Sequence, residues 1–202
     1  MTSQLRIVVA DDEPDMLDYY QHVLPALGHE VVGTAVTGRD LVDKCLALRP
    51  DLAVTDIRMP DMDGIEAADA IYRQAPLPVV LVSAYHDTAL IERAENDHIL
   101  AYLVKPIKQA DLEPAIGLAV RRFEQFEALR KEAADLRQAL LDRKVIERAK
   151  GVLMDKARLN EHDAFCRLQK LARTQNRKLV EIAHMILTAE QAFAMRDDEN
   201  GS

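Results

Sequence analysis

The sequence predicts a doubly wound α/β domain built on a parallel sheet, followed by a long helix and a small all-helical bundle. Three observations carry this expectation. Five short apolar runs alternate with five helical patterns over about the first 120 residues. Four of those five runs end directly on polar, chemically active side chains. From about Ala119 the apolar spacing becomes wholly helical, with no Gly or Pro as far as Arg143.

Taken in order, Leu5-Arg-Ile-Val-Val-Ala10 is a first buried strand that ends on Asp11-Asp12-Glu13, and Pro14 opens a helix toward Leu24 and Leu27. Gly28 turns the chain into a weaker strand at Val31–Ala35. Thr37-Gly-Arg-Asp40 then starts a helix with Leu41, Cys45 and Leu48 at helical spacing, and Arg49-Pro50 stops it. Leu52, Ala53 and Val54 form a strand that delivers Asp56 to a surface. Pro60 and Gly64 punctuate the loop before a helix through Ala67, Ile71 and Tyr72. Pro78–Ser83 is the fourth strand and a polar helix at about 87–95 follows it. Leu100–Val104 is the fifth strand; it ends on Lys105-Pro106, and the fifth helix begins near Lys108.

At 202 residues, 49% hydrophobic and 30% charged, the chain has material for one full domain and a smaller one. It starts on no signal-peptide pattern and holds no apolar segment long enough for a bilayer, so the expectation is a cytoplasmic protein with no membrane association. Cys45 and Cys166 read as two buried or half-buried free thiols rather than a bridge. The net charge of -8 is unevenly spread: residues 1–120 hold 9 Lys+Arg against 20 Asp+Glu, and residues 121–202 hold 17 against 14. The acidic part suits a cation, whereas the basic part suits a polyanion or is a solvated mixed face.

In parallel sheets, chemistry gathers beyond the carboxyl ends of the strands. Here those ends carry Asp11 and Asp12, Asp56, Ser83 and Lys105. Clustered carboxylates repel one another unless a hard cation neutralises them, and an all-oxygen set suits Mg²⁺. With Mg²⁺ bound, one carboxylate can attack phosphorus while the metal and a lysine absorb charge on the moving phosphoryl group. Asp56 is the best-placed nucleophile, and Ser83 is placed to sense the modification through a hydrogen bond.

On these residues, positions 4–120 resemble the receiver domain of bacterial two-component response regulators. The resemblance implies a flavodoxin-like (βα)5 fold with strand order 2-1-3-4-5. It implies that Asp56 is the phosphoacceptor and a sensor histidine kinase the phosphodonor. Asp11, Asp12 and Asp56 would hold Mg²⁺ with the backbone carbonyl of Arg58. Lys105 would contact the phosphoryl group ahead of a cis proline, and Ser83 with Tyr102 would form the switch. Arg58 and Tyr85 flank the path of the hydrolytic water in this reading, which predicts slow loss of phosphate.

Beyond the sheet, Phe126, Leu129, Ala133, Leu136 and Leu140 alternate spacings of three and four, a short coiled-coil seam. A homodimer through residues 119–143 is expected, with phosphorylation as a possible trigger; one helix packed on its own domain is the alternative. Ala157-Arg-Leu-Asn160 breaks the helix. A second helix carries Ala164, Leu168 and Ala172, and a third, after Thr174-Gln-Asn176, carries Leu179, Ile182, Ala183 and Leu187. Phe165 and Phe193 read as core.

The run Arg143-Lys-Val-Ile-Glu-Arg-Ala-Lys150-Gly-Val-Leu-Met154, with the apolar positions that follow it, is similar to the ANTAR domain over about residues 138–190. That resemblance implies binding of RNA stem-loops and transcription antitermination, and a regulator rather than an enzyme. Between Arg137 and Met185 there are 12 Lys+Arg against 6 Asp+Glu. The candidates for RNA contact are Arg143, Lys144, Lys150, Arg173, Arg177 and Lys178. The organisation expected is a receiver at 1–120, a helical linker at 121–140, an ANTAR domain at 141–195 and a disordered tail at 196–202. A DNA-binding output and a protein-binding output are the alternatives, and the first is disfavoured because no helix-turn-helix pattern is evident.

Overall fold

The computed structural model describes residues 4–84 and 99–199. The expected helix at 87–95 and the residue Tyr85 lie outside these, as does the side chain of Phe193. The chain divides into two compact units, Met1–Ala128 and Leu129–Ser202. In order, the elements are β1 (Arg6–Ala10), α1 (Pro14–Ala26), β2 (Glu30–Ala35), α2 (Gly38–Leu48), β3 (Leu52–Asp56), α3 (Gly64–Gln74), β4 (Val79–Ser83), β5 (Ile99–Val104), α4 (Gln109–Ala157), α5 (Glu161–Gln175) and α6 (Leu179–Glu199).

All strand pairs are parallel and the order is β2-β1-β3-β4-β5, as the resemblance implied. Alternate residues serve opposite faces. Val8, Ala10, Ala53, Val79 and Leu81 pack with Leu41 and Cys45 of α2 and with Ile65, Ala68 and Ile71 of α3. Ile7, Val9, Leu52, Val54, Val80 and Val82 pack with Tyr20 and Leu24 of α1 and with Leu112, Ile116 and Ala119 of α4. Both faces are covered, which is why the central strands read as unbroken apolar runs instead of alternating ones. β2, at the sheet edge, is largely half-buried. Cys45 is a buried free thiol, and burial pushes its pKa up to about 12.

Two glycines fix the loop after β3. A Cβ at Gly64 would meet the Asp56 carbonyl oxygen at 2.1 Å, and one at Gly38 would meet the Met62 carbonyl oxygen at 2.3 Å. No side chain fits either place. The Gly64 N–H donates to the Ile57 carbonyl at 2.8 Å, and α3 starts with a reciprocal cap between Asp63 and Glu66. The loop carrying Arg58 is therefore pinned to the end of β3 on one side and to the start of α2 on the other.

In the second unit, Ala149 from α4 meets Leu168 and Ala172 of α5 and Ile182, Ala183 and Leu187 of α6 in a small core. Asn160 caps α5, its Oδ1 accepting from the Asp163 N–H at 2.8 Å, and Asn176 in the left-handed region ends it. Three expectations are corrected here. Phe165 is 36% exposed and Cys166 is exposed. Ala164, Leu168 and Ala172 take the inward stripe of α5, and residues one and two places on are turned about 100° and 200° away from it. α6 runs to Glu199, so positions 196–199, expected in the tail, are helical.

The middle of α4 contributes to neither core. Leu129, Leu136 and Leu140 are 65%, 60% and 61% exposed, and every residue from 128 to 141 is solvent-facing on the protomer. Phe126 is half-buried and its ring lies 6.4 Å from that of Tyr72 on α3. Among the described residues, no helix is long and apolar enough to cross a membrane.

Candidate functional site

The carboxyl ends of β1, β3, β4 and β5 converge on a cleft of about 230 Å³ lined by Asp12, Glu13, Asp56, Ile57, Arg58, Ser83, Ala84 and Lys105. Parallel pairing brings them there: Ala10 sits in register with Thr55, Asp56 with Val82 and Ser83 with Val104, so the residues that follow emerge together. Lys105 Nζ lies 3.0 Å from Asp56 Oδ1, 3.0 Å from Asp11 Oδ2 and 3.0 Å from Glu13 Oε1. Asp56 Oδ2 accepts from the Arg58 N–H at 2.6 Å. Asp11 Oδ1 accepts from the Glu13 N–H at 3.0 Å.

Burial sets the electrostatics. Asp11 is fully buried and Asp56 is 5% exposed. Desolvation raises the pKa of each above the ordinary carboxylate range, against the lowering effect of Lys105 and of backbone hydrogen bonds. Burial alone would lower the pKa of Lys105, but Asp56, Glu13 and Asp11 outweigh it and raise the ammonium well above its usual value.

One atom in this network is poorly served. Asp11 Oδ2 is buried, sits at ion-pair distance from Lys105 and receives no hydrogen bond. One oxygen each from Asp11, Asp12 and Glu13 can be brought within 4.8 Å of the others, an all-oxygen set of the kind a hard divalent cation takes.

Of the residues read from the sequence, Asp11, Asp12, Asp56, Arg58, Ser83 and Lys105 are brought together. Tyr102 is half-buried against the core on the α2 and α3 side, and it does not line the cleft. The Ser83 hydroxyl donates to the Ala84 carbonyl at 2.8 Å. The Lys105-Pro106 bond is cis, as the resemblance implied. Glu13 was given no role by the sequence reading; its position directly after the acidic pair was the available signal.

In the second unit Arg143, Lys144, Arg173, Arg177 and Lys178 are exposed. Lys150 is buried, with its ammonium already engaged by two carboxylates. It is 7% exposed, with Nζ 2.9 Å from Glu147 Oε2 and 2.8 Å from Glu161 Oε1. The neighbouring carboxylates hold Lys150 above its usual pKa and Lys150 holds Glu161 below its own.

A two-unit chain with a parallel sheet, an acidic cleft and a helical output bundle defines a signalling regulator, and comparison with known proteins places it in a family. The model for the response regulator receiver domain matches residues 7–117, and that for the ANTAR domain matches residues 134–187. The chain is 38% identical over 182 residues to the transcriptional regulatory protein PdtaR of Mycobacterium tuberculosis (strain ATCC 25618 / H37Rv), covering 90% of this chain and 89% of that one. It is 30% identical over 113 residues to the chemotaxis protein CheY of Thermotoga maritima, covering 55% of this chain and 94% of that one. A solved response regulator receiver domain protein (CheY-like) from Methanospirillum hungatei JF-1 superposes with a TM-score of 0.54 at 28% identity, over 62% of this chain and 98% of that chain. The chain belongs to the response regulators, with a receiver domain followed by an ANTAR domain.

Proposed function

We propose that the chain is a phosphorylation-switched regulator in which Asp56 receives a phosphoryl group from a sensor histidine kinase and the ANTAR unit binds RNA stem-loops to act by transcription antitermination. The observation that carries the first half is the contact of Lys105 Nζ with Asp56 Oδ1 at 3.0 Å inside an acidic cleft. An oxygen of Asp56 attacks phosphorus, the P–N bond to the kinase histidine breaks, and its electron pair returns to the imidazole. An acyl phosphate results. Lys105 then faces the phosphoryl oxygens, and the Arg58 N–H keeps the carboxylate oriented.

The donor set suits Mg²⁺, held by Asp11, Asp12 and Asp56 with the backbone carbonyl of Arg58. When bound, Mg²⁺ would neutralise charge on the transferring group. Ser83 would leave the Ala84 carbonyl for a phosphoryl oxygen. Tyr102, which packs against the core on one face of the sheet, would adjust with it.

Support for the output comes from the ANTAR match and from the exposed cations Arg143, Lys144, Arg173, Arg177 and Lys178. We assign the receiver to 1–120, the linker to 121–140 and the ANTAR domain to 141–195. The linker's exposed Leu129, Leu136 and Leu140, at coiled-coil spacing with charged flanks, suit a second copy of the chain. A dimer offers two RNA sites at once, which raises avidity without new contacts.

A mobility-shift assay on a leader RNA with two stem-loops tests this reading. Phosphorylated wild type should bind more tightly than unphosphorylated protein. Arg143→Glu with Lys144→Glu should weaken binding on the order of tenfold or more, and affinity should fall with added salt. Equal affinity in every form, or equal affinity for duplex DNA of any sequence, overturns it.

A further inference from the structure

Between the end of α4 and the first turns of α5 lies a second cleft, of about 620 Å³, lined by Glu147, Lys150, Asn160, Glu161, His162 and Phe165. Two carboxylates share one ammonium there, so the ion cluster is net negative and repels a phosphate. Lys150 has three N–H groups and gives one to each glutamate, so a third is left to donate. Each glutamate meets Lys150 through one oxygen, and their side chains are 52% and 71% exposed. Acceptor lone pairs therefore face the solvent. Beside them the Phe165 ring, with Lys150 Nζ 5.9 Å from its centroid, is 36% exposed.

The occupant this cleft suits is flat, uncharged, rich in N–H donors on one edge and equipped with a carbonyl for the lysine. Splayed RNA bases stack on aromatic rings and are read along their Watson–Crick edges. Among the four, guanine alone carries N–H groups on two adjacent ring positions next to a carbonyl oxygen. We propose that this cleft binds one unpaired guanine of the RNA, stacked on Phe165, with N1–H and the 2-amino group donating to the Glu161 and Glu147 carboxylates and O6 accepting from Lys150. The inference rests on the RNA-binding reading above and gives its base selectivity a place. Lys150 acts on a base edge, and phosphate contact belongs to the exposed cations.

The test uses the full chain and a pool of stem-loop RNAs with one fixed stem and a randomised loop of about eight nucleotides. Wild type should enrich guanine at one loop position. Inosine at that position, which lacks only the 2-amino group, should lower affinity about tenfold, the size of one lost hydrogen bond to a charged group. Glu161→Gln and Glu147→Gln should bind the guanine loop more weakly, and at least one of them should no longer distinguish guanine from inosine. Phe165→Leu, which keeps apolar bulk, should lose about tenfold on the guanine loop and nothing on a loop abasic at that position. Discrimination that persists unchanged in both glutamine variants, or Phe165→Leu binding like wild type, overturns the cleft assignment while RNA binding stands. No binding to any member of the pool overturns the RNA reading and this inference together.

Discussion

Lys105 Nζ and Asp56 Oδ1 lie 3.0 Å apart, and the same ammonium stands 3.0 Å from Asp11 and 3.0 Å from Glu13. One cation thus faces three carboxylates, so it is held in place without being committed to any single partner. A phosphoryl group arriving on Asp56 takes the strongest claim on it. Asp56→Asn should accept no acid-labile phosphate from a small phosphodonor. Lys105→Ala should be slowed on the order of 10²-fold, the usual cost of losing one preorganised charge partner. Incorporation time courses on the two variants check both statements.

The excess of negative charge has a stability consequence. Asp11 is fully buried, burial raises its pKa, and its Oδ2 lacks a hydrogen bond. Asp11→Asn removes one of three carboxylates and still leaves Lys105 paired with Asp56 and Glu13. The variant should gain about 1–2 kcal/mol, as replacements of strained functional groups commonly do. Added Mg²⁺ should raise the melting temperature of wild type but not of the variant. Thermal melts with and without Mg²⁺ measure both.

Gly64 is held by contact. Its missing Cβ would lie 2.1 Å from the Asp56 carbonyl oxygen. Gly64→Ala must displace either the end of β3 or the start of α3, at a cost of about 1–3 kcal/mol typical of overpacking. Phosphate acceptance should fall with stability because the added Cβ presses on the backbone of Asp56 itself. Denaturant midpoints together with phosphorylation rates show the joint loss; full activity in a destabilised variant would separate the two.

A pH dependence follows from His29, which is 4% exposed. Its Nδ1 faces the Leu5 N–H at 3.3 Å, which assigns the proton to Nε2, and Nε2 is buried with no partner. Burial lowers the pKa below 6.5, against the raising effect of Glu113. The folded state keeps the ring neutral while the unfolded chain binds a proton near pH 6.5. Its contribution is therefore complete above that pH. It is lost as pH falls from there through the folded pKa, and is constant below. The urea midpoint of wild type should drop between about pH 7.5 and 5.5 by more than that of His29→Gln.

The exposed stripe of α4 gives a prediction about assembly. Leu129 and Leu136 are 65% and 60% exposed on the protomer, so Leu129→Asp with Leu136→Asp removes nothing from either core. The double variant should melt its receiver unchanged and sediment as a monomer under conditions where phosphorylated wild type is a dimer. Sedimentation of both forms decides it, and equal dimerisation would remove the seam from the account.

What the sequence determined by itself was the part governed by local pattern and strand-end chemistry. Apolar runs at Ile7–Ala10, Leu52–Val54 and Val79–Val82 have no solvent face to alternate with, so they declare buried parallel strands, and the polar residues after them must gather at one edge. Asn160 and Asn176 mark the ends of α5 because their side-chain and backbone preferences act within a few residues. What only the tertiary structure decided were partners distant in the chain. Lys105 reaches Glu13 because β5 and β1 place their ends around one cleft. Gly64 has to be glycine because α3 starts against the backbone of β3. Lys150 looked like any other basic residue in a basic stretch; packing of α5 brings Glu161 against it, and its charge is satisfied within the protein before any phosphate is met.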